Sequence, residues 1–512
     1  MTAATAPAAP RPAPTGRSAR RGAAAAALGS GRLLRLELRR NAMLWLLPVV
    51  FALFWYNGYR EIMALPPMWN LRAMTLQNRL LFVLAVPVTA AAAWMGSREG
   101  RRGITDLVAG TARPRWSRQL AGWAATTAWA EAGCLVCVAV VYLVTARQAS
   151  WGGPLWWPAV VSAAGVPMLT AIGFAAGAWF PGRFVTPLAT VVVFFGLAFG
   201  TQAASGDHSY WQISPLTAGA VDIGAAPGVA TFYRYLPDLS IAQVMFTAGL
   251  TVAVLGALGI SAARMRWLAV VITAVGLTAA GTAVALAGTG RFDPHGMIVI
   301  PALHNAASDQ PVRYTPACSH TPIPVCVHPA FATFLPAMTA AVGPELTEFA
   351  GLPGAPARIS QVTAVYRQVS GNGITVSGGG TSAAAFVVPD QVPGWLGTTG
   401  GEFAAQLDEG MGIQLASDMI LGGDGQQSAS GPGQAQLAVI AGSVRFPSSV
   451  ESRDLAPLYG RLLPQPGIPA DRAARRFAAL SPAARHAWLA GHLGCGARCT
   501  GTGTTTARSR CR

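Results

Sequence analysis

The residues of this chain that are placed to do chemistry fall into three groups. Cys318 and Cys326 stand eight positions apart in CSHTPIPVC. In an oxidising compartment that spacing reads as a disulfide. With His320 and His328 the same cysteines could instead hold zinc, although four ligands within eleven residues make a cramped tetrahedron. Glu131 lies inside an apolar run. A central carboxylate costs about 2.5–3.5 kcal/mol on insertion scales, so it is expected to face protein rather than lipid. It reads either as a substrate or interhelix contact, or as a hydrogen-bonded acid displaced toward an interface. Cys134 and Cys137, in the same run, read as inert core thiols. The third group is SREGRRGITDLVAGTARPRWSRQLAGW, residues 97–123. Ile104, Leu107 and Val108 share one face of a short helix over 104–112, and Arg113-Pro114-Arg115 breaks it. This stretch reads as a surface helix between two membrane spans, or as a solvated basic loop with some helix.

What is missing narrows the chemistry. All 37 basic residues are Arg. Without Lys there is no P-loop lysine and no Schiff base, so any ATP hydrolysis falls to another chain. HExxH, GxSxG and a glycine-rich phosphate loop are missing too. Glu345 and Glu348 share a helical face, which reads as a solvated one. No catalytic residue, cofactor or resident metal is expected.

The elements that must position these groups belong to a membrane protein. The chain is 52% apolar and 11% charged, with a mean hydropathy of +0.40; soluble domains carry roughly 25% charged residues. Residues 1–29 are rich in Ala, Pro and Arg and read as a disordered basic cytoplasmic tail. Residues 30–41 read as an amphipathic interfacial helix, and 42–289 as a transmembrane domain. Its spans are expected at about 42–62, 80–96, 120–146, 155–180, 184–202, 240–262 and 267–288. The outer loop 203–239 reads as a short cap or a loose connector. Residues 290–493 carry strand-like alternation at Ile359–Val369 and Ala384–Val388, with turns over Gly371–Gly380. Helical stretches are expected at Ala330–Phe349, Gly401–Leu421 and Asp471–His492. The expected fold is an α-helical polytopic membrane protein of about seven transmembrane helices with a C-terminal extracellular α/β (α+β) domain. Residues 494–512 form a low-complexity tail whose Cys, Thr and Arg content fits an altered reading frame near Leu493.

The net charge of +16 is an orientation signal. Residues 1–290 hold 22 Arg against 8 acids, and 291–512 hold 15 against 13. With the N-terminus inside, the cytoplasmic segments carry 17 Arg and the opposite loops 5, as the positive-inside rule requires. The expected location is the plasma membrane, with a cytoplasmic N-terminus and an extracellular C-terminal domain. Basic charge so distributed gives no folded nucleic-acid-binding face.

The loop at 97–123 resembles the coupling-helix loop of ABC-2-type transporter permeases. Glu99, Gly103, Thr105, Asp106, Leu107, Thr111, Arg113, Pro114 and Arg115 carry the resemblance. The basic helix before the first span is similar to that family's elbow helix. The segment VCVHPAF and the later RRFAALSPAARHAWLAGHL look similar to outer domains fused to actinobacterial permease-like proteins. The resemblance spans about residues 30–265. It implies a permease subunit, an exporter by family, that pairs with itself or another permease in the lipid bilayer. A separate nucleotide-binding ATPase subunit would engage residues 99–115. The alternative is a membrane-anchored receptor or sensor whose extracellular domain binds a ligand without transport.

Overall fold

The computed structural model describes residues 31–103, 114–202, 208–218, 231–262, 266–294, 296–352, 355–362, 376–377, 383–387, 477 and 479–492. Six helices among them are long and apolar enough to cross a membrane. A basic helix, α1 (31–39), precedes them. The six are α2 (Ala42–Ala64), α3 (Trp69–Gly96), α5 (Arg115–Gln148), α6 (Trp156–Trp179), α8 (Asp238–Ala262) and α9 (Arg266–Ala287). Between α3 and α5 lies the single turn α4 (Arg98–Arg101). The expected fifth span is α7 (Val185–Gln202), an apolar helix shorter than the others.

Helix α2 begins where Asn41 caps it, its side chain accepting from the Met43 N–H at 2.9 Å. The same amide donates to Thr126 Oγ1 of α5 at 2.9 Å, so one buried residue ends α1 and ties α2 to its neighbour. A π turn at Trp55–Tyr59 interrupts α2, and beyond it Glu61 pairs with Arg79 of α3.

Helix α3 departs most from expectation. It starts at Trp69 rather than near residue 80 and runs for 28 residues, about 42 Å at 1.5 Å each against a core of about 30 Å. Its first turns carry Asn70, Arg72, Thr75, Gln77, Asn78 and Arg79, which hydropathy alone reads as loop. They are helical because protein surrounds them. Gln77 donates to the Pro215 and Thr217 carbonyls at 2.8 and 2.9 Å, and Asn78 to that of Leu216 at 3.1 Å. Gln243 of α8 grips the same turn, donating to Ser214 and Thr217 at 2.7 and 2.8 Å. Residues 210–217 are thus a packed cap, built round the 3-10 turn Tyr210–Ile213.

These contacts define two ends of the bundle. At the near end lie α1, α4 and Pro181, which abuts Gly100. At the far end lie the cap, the start of α8 and the C-terminal region. Helix α7 leaves Pro181 and finishes with Gly200 beside Ser214 of the cap, so it runs from near to far.

In the C-terminal region β1 (Arg291–Phe292) and β2 (Ile298–Val299) form a two-stranded ribbon. Strands β3 (Ala317–Cys318), β4 (Val325–Val327), β5 (Arg358–Val362), β6 (Val376–Ser377) and β7 (Ala383–Val387) make one mixed sheet in the order β3-β4-β5-β7-β6. The β4–β5 and β5–β7 pairs are parallel. Helix α10 (Leu335–Phe349) follows a 3-10 turn at Pro329–Phe334, and α11 is Pro482–His492. The expected helix at Gly401–Leu421 and the tail 494–512 lie outside the described residues, as do residues 1–29.

The core of this region is continuous with the membrane helices. Leu65, Met68, Leu71 and Met74 pack in one cluster with Val325, Phe331, Met338, Phe349, Ile359 and Leu489. The outer layer therefore sits on the far end of α3 without an intervening linker, and the Ser150 hydroxyl donates to the Pro329 carbonyl at 2.8 Å as a second tie.

Candidate functional site

The site at the near end is built from two helix ends and a turn. Helix α3 stops at Ser97, and α4 follows as one turn ended by Gly103 in the left-handed region at φ 64°. Arg98 of α4 makes a two-pronged contact with Glu37 of α1, at 2.9 and 2.7 Å. Donating these hydrogen bonds to the Glu37 carboxylate holds the Arg98 guanidinium above the usual arginine range, against the cost of burial. A charge-assisted contact of this kind contributes about 1.5–3 kcal/mol. Arg101 folds back over the Trp94 ring at 3.4 Å from its centroid and donates to the Trp94 carbonyl at 2.9 Å. Glu99 reaches across to Arg118 in the first turn of α5, at 3.5 Å.

Glycines set the framework. A Cβ on Gly177 of α6 would strike the Ala93 carbonyl and the Ser97 amide, and one on Gly96 the Phe174 carbonyl. Helices α3 and α6 therefore meet backbone to backbone beneath the turn, as small residues permit in membrane bundles. The start of α5 is fixed as firmly: Trp116 donates its indole N–H to the Leu255 carbonyl of α8 at 3.0 Å. Between these anchors opens a cavity of about 360 Å3, lined by Arg98, Glu99, Arg115, Arg118, Gln119 and apolar neighbours.

Of the loop residues singled out in the sequence, Glu99, Gly103, Pro114 and Arg115 lie at the two ends of this structure. Thr105, Asp106, Leu107, Thr111 and Arg113 lie outside the described residues. Glu131 sits on α5 with its Oε2 buried and without a hydrogen-bond partner among the described residues. Cys134 and Cys137 are free and buried. Cys318 and Cys326 face each other across β3 and β4 and form a disulfide. That bond takes both sulfurs from the zinc alternative, and His328 turns into the core, its Nδ1 accepting from Ala330 at 3.1 Å.

The chain matches no family model, no curated protein and no solved structure.

The sequence hid two features. Glu37 and Arg98 are 61 positions apart, and only the mixed charge of the α1 segment hints at a partner. The second feature lies at the far end. Asp238, buried at the start of α8, accepts from the Ile300 amide at 3.1 Å and meets His304 Nδ1 at 3.2 Å. His304 Nε2 meets Asp309 at 3.1 Å, beside a cavity of about 560 Å3 that Arg234, Arg291 and Asp293 also line. Burial opposes charge on His304, but Asp309 and Asp238 outweigh it and hold the imidazole above the usual histidine range.

A raised imidazole pKa contributes stability that is complete below the unfolded value, about 6.5, and fades as pH rises through the folded one. His304→Gln is expected to lower the melting midpoint at pH 6 and to match the unsubstituted protein more closely toward pH 9. Burial holds His328 at about 4, so its contribution is lost as pH falls from about 6.5. That loss is common to both proteins and cancels in the comparison. A midpoint difference independent of pH would refute the protonated link.

Proposed function

We propose that α7 crosses the membrane with the six longer helices, giving seven spans, a cytoplasmic near end and an extracellular C-terminal region. Its 18 residues reach about 27 Å, close to the thickness of the hydrocarbon core. Its two ends contact opposite ends of the bundle. The Arg-rich loops then gather at the near end, in keeping with the positive-inside rule.

On this reading the chain is the membrane subunit of an ABC-2-type transporter, an exporter driven by a separate ATPase. The observation that carries it is the bracing of α4. Arg98 ties the turn to the interfacial helix, Glu99 ties it to α5, and Gly96 and Gly177 seat its base on α6. A push on residues 99–115 would therefore reach the interfacial helix and three spans together. The exposed apolar faces of α2 (Trp45, Val49) and α9 (Trp267, Val271, Val275) suit lipid and a second permease chain. The shared core at the far end gives a receptor reading one point of support, because a ligand outside would act directly on α3.

Co-purification separates the two. An ATPase subunit encoded beside this chain is expected to co-purify with it and to be lost on Asp106→Arg or Leu107→Glu, with the melting midpoint of the permease unchanged. A chain that captures no ATPase would leave the receptor reading in place.

A further inference from the structure

We infer that the near-end cavity binds an anion carrying a phosphate group, held by Arg115, Gln119 and the first turn of α5. Helix α5 opens as Arg-Trp-Ser-Arg, with no acid in its first turn and with Pro114 at the cap, which supplies no side-chain acceptor. The positive end of a 34-residue helix thus carries two further cations against the single Glu99 carboxylate, which leaves one guanidinium and the helix dipole to favour a further anion. Arg98, Arg115 and Arg118 all line the cavity, and Glu99 is the one acid among its lining residues. Glu99 is engaged with Arg118, and Arg98 with Glu37. Arg115 makes no ion pair among the described residues, and its Nε is buried without a hydrogen-bond partner.

Gln119 supplies an independent observation. It lines the same cavity one turn further along α5, its residue is only 9% exposed, and its Oε1 has no hydrogen-bond partner. Buried polar atoms are almost always paired in native proteins, so two orphans at one cavity mark a place where a polar ligand completes the structure. A phosphate group answers both. Its oxygens accept from the guanidinium fork and from the free N–H groups of the helix end. A hydroxyl on the phosphate or on its ester pairs with the amide of Gln119 in either orientation of that amide. The volume of about 360 Å3 exceeds that of a phosphate alone, and Met95, Phe174, Trp179 and Leu258 form an apolar wall beside the polar one. A lipid headgroup and a free phosphate share this chemistry. The inference holds whether or not the chain transports anything.

The test uses the full chain. In one arm, protein in maltoside micelles stripped of phospholipid is dialysed against radiolabelled inorganic phosphate. In the other, phosphatidylglycerol is mixed into phosphatidylcholine nanodiscs, and the lipid retained by the protein is counted by native mass spectrometry. Arg115→Gln is expected to weaken phosphate binding about tenfold or to abolish phosphatidylglycerol retention, the loss of one charge-assisted fork. Arg102→Gln makes the same charge change at an exposed position off the cavity and is expected to change binding less than about twofold, since surface charges away from a site contribute little. Gln119→Leu removes the polar group without changing charge, and it keeps the test decisive if Arg115→Gln does not fold. Phosphate binding identifies a free anion, and retention of phosphatidylglycerol alone identifies a headgroup; either supports the inference. Binding of neither probe, or equal losses in Arg115→Gln and Arg102→Gln, overturns it. The ATPase co-purification reads out separately, so failure of one leaves the other standing.

Discussion

Arg72→Leu is expected to destabilise the detergent-solubilised protein by about 2–3 kcal/mol, chiefly through buried acceptors left unmade. Arg72 is 3% exposed, yet no acid pairs with it among the described residues. Its Nε and Nη2 both donate to the Leu65 carbonyl, at 3.3 and 3.0 Å, while Nη1 donates to Gln148 Oε1 at 2.7 Å. One guanidinium therefore closes the end of α2, the start of α3 and the end of α5. Leucine would fill the space but leave the Leu65 carbonyl buried and unpaired. Lysine would keep the charge, but a single ammonium cannot serve both partners in that fork geometry, so Arg72→Lys is expected to recover less than half of the loss. Equilibrium unfolding in mild detergent measures both variants. A change below about 0.5 kcal/mol for leucine, the range of an ordinary surface substitution, would show that the three helix ends do not depend on this residue.

Gly177→Leu is expected to be more severe, preventing accumulation of folded protein or costing at least about 3 kcal/mol, beyond the usual cost of overpacking. The obstacle is backbone, the Ala93 carbonyl and the Ser97 amide, so no rotamer relieves it. Helices α3 and α6 would have to part at the point where α4 begins. Gly182→Leu is the matched control: nothing lies within 4 Å of a Cβ there and its φ is ordinary. It is expected to fall within about 0.5 kcal/mol of the unsubstituted protein. Fluorescence-detected size exclusion followed by thermal unfolding distinguishes them. Equal behaviour of the two would mean that α3 and α6 can separate without penalty, and the bracing of α4 would lose its physical basis.

Hydropathy found the helices of this chain but misjudged where they end. Spans starting near 155, 240 and 267 lie within a few residues of α6, α8 and α9, because apolar runs bounded by charge or proline leave little choice. Helix α3 was eleven residues longer than expected, because the Gln77, Asn78 and Arg72 partners lie as much as 140 positions away. A window of twenty residues cannot register such partners. The strands at Ile359 and Ala384 were legible from alternation, and the disulfide from spacing once an oxidising compartment was expected. The site was legible only in its local part. Glu99 and Arg115, which the sequence singled out, line one cavity, whereas Glu37, Gly177 and Leu255 come to it from other helices. The Asp238–His304–Asp309 cluster had no local signal, since its buried acid opens a helix 66 residues before the histidine.

The core shared by α3 and the outer layer also orders events in time. Leu65, Met68, Leu71 and Met74 emerge early in synthesis, while Phe331, Phe349, Ile359 and Leu489, which cover them, come hundreds of residues later. Closing so long a separation is slow, and exposed apolar surface awaiting its cover is prone to aggregate. The outer layer is therefore the last part of the molecule to assemble, on a template that the inserted bundle provides. Until it does, the far end of α3 is a bare apolar stub of the kind that quality-control proteases and chaperones recognise.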